Sequence, residues 1–105
     1  GDVNESTSQG TTPLIAACQR RHEGLVSLLL SCGADPDAID DRGCSALSAA
    51  AHTGSIAAVQ ELLHHNADAN IANHLVLTPL HIAARQEWRD IVCLLLPLTS
   101  FTSLT

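Results

Sequence analysis

The sequence of 105 residues contains no lysine, no tyrosine and no methionine, and it has one tryptophan and one phenylalanine. Aromatic residues make up 2% of the chain, although 46% of its residues are hydrophobic. Any core must therefore be built from alanine, leucine, isoleucine and valine. Such small side chains suit thin units that stack closely better than a core formed around large rings.

Positive charge is also scarce, because all five basic residues are arginines and the formal net charge is −6 at pH 7. Binding to a phosphate backbone depends on clustered lysine and arginine, so the composition argues against a nucleic-acid partner. No apolar run approaches the roughly 20 residues that a membrane-spanning helix needs, and nothing resembles a secretory signal. We therefore expect no membrane insertion and an intracellular location, cytoplasmic or nuclear.

The four cysteines show no CxxC spacing; they are Cys18, Cys32, Cys44 and Cys93. An even count permits two disulfides, but without a secretory signal the sequence favours reduced thiols.

One pattern occurs three times, at a spacing of 33 residues and without gaps. Its first block reads TPLIAAC, SALSAAA and TPLHIAA, and a later block reads GAD and then NAD. Between them, valines and leucines recur at i, i+3 and i+4, which predicts a helix with one apolar stripe. Self-similarity of this period is the signature of a repeat architecture.

Each block has a local structural role. The hydroxyl residues that open the first block predict helix N-caps; they are Thr12, Ser45 and Thr78. Pro13 and Pro79 then fall at the first helical position, where the missing N–H costs nothing. Gly33 and Asn66 follow the second helix, where a left-handed residue commonly ends it. The stretch 38–44 predicts a turn or hairpin tip, with Gly43 at positive φ.

These blocks resemble the ankyrin repeat, whose hallmarks are TPLHxAA, a Gly-His pair, a V-x-x-LL run and a GAD-x-N ending. Residues 78–84 match the first hallmark completely. The resemblance implies an all-α solenoid of stacked helix–turn–helix units with protruding β-hairpin or turn loops. The whole chain is then one domain. It begins with the end of a truncated upstream repeat plus a hairpin (1–11), continues with repeat 1 (12–37), repeat 2 (38–70) and repeat 3 (71–97), and ends with a C-terminal cap or linker (98–105).

The opening tetrapeptide GDVN corresponds to the end of a repeat whose helices are absent. We therefore expect the chain to be a fragment of a longer array, in which upstream ankyrin repeats are partners of the first repeat. Apolar surface around Ala16, Ala17 and Leu25 should then be exposed.

Some positions depart from the repeat pattern. The glycine that ends the first helix is present as Gly54 but replaced by Arg21 and Glu87. A non-glycine residue at positive φ costs about 1 kcal/mol, so we expect these two turns to be reshaped. Trp88 replaces a histidine of the pattern, and we expect it to be wedged between repeats 2 and 3.

The hairpin glycine, present as Gly10 and Gly43, becomes Val76 in repeat 3. This valine is the middle residue of the apolar stretch 75–77. Either the loop is rearranged and folds back on its own repeat, or it presents an apolar patch to a partner. The sequence leaves both interpretations open.

No combination of residues indicates catalysis. The histidines fall on separate helices and loops, and there is no HExxH motif and no paired cysteine, so we expect no metal and no cofactor. The aspartates of 35–41 lack the glycine of a calcium loop and are typical of turns. Cys18 stands at a core alanine position of the repeat, and Cys44 lies on a hairpin flank. We therefore expect no enzyme activity in this chain.

The resemblance implies a non-catalytic protein–protein interaction module that binds a protein or extended peptide on its concave face. The positions carried over to this face are Ser8, Gln9, Thr11, Gln19, Arg20, Asp41, Arg42, Cys44, His52, Thr53, His74, Leu75, Leu77, Arg85 and Gln86. Arginine and apolar side chains at these positions favour an acidic and apolar partner. The alternatives are a scaffold that self-associates, or a regulatory domain of a larger enzyme.

Overall fold

The first helix of every repeat begins next to the hydroxyl residue that the sequence indicates. The computed structural model describes residues 6–98. In it, these helices are α1 (Pro13–Gln19), α3 (Ala46–Thr53) and α5 (Pro79–Arg85). In each, the capping oxygen accepts a hydrogen bond from the backbone N–H three residues on. At α5 the His81 ring also bonds back to the Thr78 N–H, which completes a capping box. The three N-cap predictions are confirmed.

The second helices are α2 (Glu23–Ser31), α4 (Ile56–His64) and α6 (Arg89–Leu95). A short 3-10 helix, Leu96–Leu98, follows α6, where Pro97 ends the α-helical pattern. Gly33 and Asn66 lie just past α2 and α4 at φ values of 95° and 65°, as predicted. Ser55 caps α4 through its hydroxyl, which also donates to the Glu23 carboxylate at 2.6 Å. That bond ties repeat 2 to repeat 1.

The helices stack in two layers along the repeat axis. In one layer α1 packs on α3 and α3 on α5; in the other, α2, α4 and α6 follow one another. The central helix α3 is buried along Ala46–Ala51 because both neighbours lie against its small side chains. The described residues contain no β-strand beyond the isolated bridge between Ile39 and Ser45, so the all-α repeat fold is confirmed. The exact repeat boundaries stay a prediction, and residues 1–5 and 99–105 lie outside the described part.

The hairpin tips form a ladder that runs from repeat to repeat. The Asp41 N–H donates to the Gln9 carbonyl at 2.9 Å, and the His74 N–H donates to the Arg42 carbonyl at 2.9 Å. Gly43 has a φ of 78°, as predicted for the tip. The tips are therefore fixed relative to one another by backbone bonds as well as by the helices beneath them.

The expectation that the turns at Arg21 and Glu87 are reshaped is wrong. Their φ values, 56° and 62°, lie in the same left-handed region as the 82° of Gly54. The same bond closes each turn, as in His22 N–H to Ala17 carbonyl at 2.9 Å. Helix packing fixes the turn, and each non-glycine residue is held there at a cost of about 1 kcal/mol.

The rearranged-loop interpretation of 75–77 is also wrong. Val76 has a φ of 62°, and its N–H donates to the Asn73 carbonyl at 2.9 Å, just as Gly43 donates to Asp40. Leu77 packs against the core, but Leu75 and Val76 are each 76% exposed. The third hairpin therefore keeps the shape of the second and presents two apolar side chains to solvent.

The first repeat exposes apolar surface on α2 rather than on α1. Leu25 is 43% exposed and Leu28 58%, whereas Ala17 is only 2% exposed because it lies in the core between the helices. The expectation for Ala17 is wrong, and that for Leu25 is confirmed. Among the described residues no helix is long and apolar enough to cross a membrane.

Trp88 contacts repeat 2 from repeat 3, as expected, but it is not fully wedged between them, because it remains 39% exposed. Its ring covers Gly54 so closely that a Cβ built on this glycine would lie 2.6 Å from Trp88 Cε2. The indole N–H donates to the His52 carbonyl at 3.3 Å. The indole therefore joins α6 to the end of α3.

Candidate partner-binding groove

A groove of about 350 Å³ lies between the hairpins and the first helices of repeats 2 and 3. We call it the repeat 2–3 groove. Nine of the residues carried over from the repeat pattern line it: Gln19, Arg42, Cys44, His52, Thr53, Leu75, Leu77, Arg85 and Gln86. Residues far apart in sequence converge here because α1, α3 and α5 stand side by side.

The other positions carried over lie outside the groove: Ser8, Gln9, Thr11, Arg20, Asp41 and His74. Gln9, Asp41 and His74 contribute backbone groups to the hairpin ladder, while their side chains are exposed. A partner contact at these six positions stays a prediction.

Sequence reasoning missed four lining residues: Ser48, Ala49, Asn73 and Ile82. Ala49 and Ile82 occupy the same position of the repeat and are both 8% exposed, so they form part of the apolar floor. The repeat register could have located them, since both stand one turn before the two carried-over residues at the end of the first helix. The carried-over pattern contained no position from that preceding turn.

A side-chain oxygen organises each hairpin that borders the groove, from the buried Asp40 in the second hairpin and the half-buried Asn73 in the third. Asp40 Oδ1 accepts from the N–H groups of Arg42 and Cys44 at 2.9 and 3.0 Å. Asn73 Oδ1 does the same for Leu75 and Leu77, at 2.9 and 3.1 Å. Because each oxygen satisfies two backbone donors, the loops hold their rim residues in place before any partner arrives.

Positive charge lies on the groove rim despite the acidic chain. The exposed Arg42 guanidinium lies 3.4 Å from Oδ2 of Asp40, whose carboxylate is buried, and it balances part of that buried charge. Within residues 6–98, Arg85 makes no ion pair. Arg85 is therefore available to a carboxylate, which arginine can bind through two parallel hydrogen bonds. Arg42 is 74% exposed and carries further N–H donors, so it can bind a second carboxylate beside Asp40.

Cys44, which lines the groove, and Cys18, which lies in the core, show no sign of activation. Burial, reinforced by the Asp40 carboxylate, raises the pKa of Cys44, which outweighs the opposing effects of Arg42 and Asn73. Burial alone raises the pKa of Cys18 to about 12. Because the thiolate is the nucleophilic form, both groups remain protonated and unreactive near neutral pH. The groove offers an apolar floor and cationic rim, which suit noncovalent recognition.

Comparison with known proteins identifies the same repeat family. A family model described as "Ankyrin repeats (3 copies)" matches residues 1–73 and 24–103. The chain is 42% identical over 81 residues to Neurogenic locus notch homolog protein 1 of Danio rerio, covering 77% of the chain and 3% of that protein. It is 39% identical over 82 residues to the Homo sapiens homolog protein 1 and 38% identical over 73 residues to the Homo sapiens homolog protein 2, covering 78% and 70% of the chain. The chain spans about 3% of the length of these relatives.

Proposed function

We propose that this chain, which belongs to the ankyrin-repeat family, binds an extended acidic and apolar segment of a partner protein in the repeat 2–3 groove. Ankyrin repeats are protein–protein interaction modules. The convergence of an apolar floor and two exposed arginines in one preformed groove carries the proposal for this particular chain.

The floor selects for apolar side chains. Ala49 and Ile82 are nearly buried and Leu77 is half-buried, so they present carbon surface at the base of the groove. The groove volume of about 350 Å³ is at the low end of the range for ligand sites, so it accommodates only a few side chains. A short apolar stretch of an extended chain fits this space better than a helix does.

The rim selects for carboxylates. Arg42 projects from the second hairpin and Arg85 from the end of α5, so they approach the groove from two elements. Two acidic residues of the partner, one on each side of the apolar stretch, would each bind one of these two guanidinium groups. Charge-assisted hydrogen bonds of this kind contribute about 1.5–3 kcal/mol each.

The test is selection of binders from a displayed library of random peptides. Selected sequences should be enriched in Asp or Glu next to Leu, Ile, Val or Phe. For a fluorescent copy of the best peptide, Arg42→Ala and Arg85→Ala should each raise the Kd about tenfold or more. Arg89→Ala is the matched control, because it removes the same charge from an exposed arginine on α6, outside the groove.

If Arg89→Ala weakens binding as much as Arg85→Ala, the effect reflects net charge and the groove assignment is wrong. Circular dichroism of each variant would check that the helices are retained. A library that yields no acidic enrichment would likewise contradict the proposal.

Self-association is a second candidate, favoured by the exposed face of α2. Leu25 in repeat 1 is 43% exposed. The residue at the equivalent position of repeat 3, Ile91 on α6, is fully buried against repeat 2. A second copy that covers this face would make sedimentation depend on concentration, and Leu25→Asp with Leu28→Asp would abolish that dependence. A strict monomer at all concentrations would eliminate this candidate.

A further inference from the structure

Within residues 6–98, the third hairpin is the last member of the hairpin ladder. The carbonyls of Gln9 and Arg42 each accept an N–H from the next hairpin, namely that of Asp41 and that of His74, at 2.9 Å in both cases. The Leu75 carbonyl takes the same place 33 residues further on. In the part of the chain that the structure describes, no donor bonds to it.

Glycine at the hairpin tip is what lets the next hairpin stack. A Cβ built on Gly43 would lie 2.8 Å from His74 Cδ2 and 3.2 Å from the His74 nitrogen. A Cβ on Gly10 would lie 3.2 Å from the Asp41 nitrogen. Val76 shares their left-handed conformation and brings a Cβ and two methyl groups into the corresponding space. A further hairpin in the register that the first three share, with its position fixed by the helices beneath it, would therefore be crowded by the Val76 side chain.

Val76 is also conformationally costly where it stands. A β-branched residue at positive φ is a clear outlier, and the glycines at the equivalent positions show that the turn itself does not need it. Leu75 and Val76 remain 76% exposed, so the valine is not compensated by burial within residues 6–98. Strain of this kind is concentrated at sites where it serves binding or a switch.

We propose that the outer edge of the third hairpin takes an extended backbone segment of the partner in place of a further hairpin. The outer edge is defined as the Leu75 carbonyl together with the side chains of Leu75 and Val76. The partner donates one backbone N–H to the Leu75 carbonyl and lays an apolar side chain on Val76. Continuity with the ladder supports this occupant, because the edge presents the same acceptor that each preceding hairpin uses.

This inference rests on the proposed function, since Leu75 also lines the repeat 2–3 groove. A segment that leaves the groove over Leu75 reaches the outer edge without a break. A second copy of this chain fits less well, because two side chains offer far less area than the roughly 1,200 Å² of a stable interface.

The experiment uses the fluorescent peptide selected from the random library and replaces its amides by esters one at a time. An ester removes the N–H without adding bulk, so one position should lose roughly threefold to tenfold in affinity and the others little. Val76→Gly should also weaken binding several-fold while it raises the Tm. Glu87→Gly is the matched control, since it relieves the same positive φ away from the edge; it should raise the Tm and leave the Kd unchanged.

The outcomes separate the two proposals. If Arg85→Ala weakens binding of the peptide but neither Val76→Gly nor any ester substitution does, the outer-edge inference is wrong and the groove proposal is supported. If Arg85→Ala has no effect while Val76→Gly and one ester do, the edge binds and the groove proposal is wrong. A library that yields no binder, or Val76→Gly abolishing a dimer of the chain itself, would overturn the inference.

Discussion

Replacing Gly54 by alanine puts a methyl group where the indole of Trp88 lies. The new Cβ would be 2.6–2.9 Å from three ring atoms, closer than carbon atoms can approach. The left-handed conformation of Gly54, with a φ of 82°, adds a second penalty. Trp88 must therefore move, and its bond to the His52 carbonyl at 3.3 Å is lost or lengthened.

The magnitude follows from these two effects. The positive φ costs about 1 kcal/mol for an alanine, and overpacking a fitted site costs about 1–3 kcal/mol. Together, Gly54→Ala should lower the free energy of unfolding by about 2–4 kcal/mol. For a domain of about 100 residues this corresponds to a fall in Tm of roughly 10 °C or more.

Thermal unfolding followed by circular dichroism measures the loss. Tryptophan fluorescence measures the displacement directly, because Trp88 is the single tryptophan of the chain. The emission should shift to longer wavelength as the ring leaves Gly54 and becomes more hydrated.

Two control variants isolate the cause. Gly24→Ala adds the same methyl group within α2, where a Cβ would meet nothing within 4 Å, and it should stabilise by about 0.5–1 kcal/mol. Glu87→Gly removes the Cβ from an equivalent left-handed turn and should raise the Tm by a few degrees. If Gly54→Ala melts within about 2 °C of wild type with unchanged emission, the proposed contact between Trp88 and Gly54 is refuted.

Two further predictions concern the thiols and the second hairpin. Burial raises the pKa of Cys18 from 9.0 to about 12, so the stability it contributes is present below about pH 9 and lost as the pH rises toward 12. Cys18→Ala should reduce this alkaline loss in urea titrations. Because the chain has no lysine or tyrosine, the raised pKa of Cys44 is the main other source of such a loss, and Cys44→Ala is the comparison variant. An equally steep loss in Cys18→Ala and in the wild type would disprove the assignment. Asp40→Ala should lower the free energy of unfolding by about 2–3 kcal/mol, because it leaves the N–H groups of Arg42 and Cys44 unpaired. Asp40→Asn should retain most of the stability, because Asn73 plays the same role in the next hairpin. Asp41→Ala, at an exposed position, is the control. Equal losses of stability for Asp40→Ala and Asp41→Ala in urea unfolding would contradict this account.

Local interactions made the helices predictable. Thr12, Ser45 and Thr78 cap helices through bonds that span three residues, so the sequence pattern alone locates them. Gly33 and Asn66 end helices for an equally local reason, their tolerance of positive φ.

The same local reasoning failed where packing overrides a residue's preference. Arg21 and Glu87 argued for reshaped turns, yet both adopt the left-handed conformation of Gly54. The stacked helices and the closing backbone bonds stabilise the turn by more than the roughly 1 kcal/mol that each side chain costs. Val76 in the third hairpin likewise keeps the left-handed conformation of Gly10 and Gly43.

The sequence by itself determined the repeat, its register, the ends of its helices and the family, because these depend on residue types a few positions apart. Only the tertiary structure decided which residues share one groove. Gln19, Arg42 and Arg85 meet there because helices and hairpins of successive repeats stand side by side, while Ser8 and Arg20 lie beyond it. It also decided that Leu75 and Val76 face solvent, since exposure depends on what neighbouring repeats cover and not on the three residues themselves.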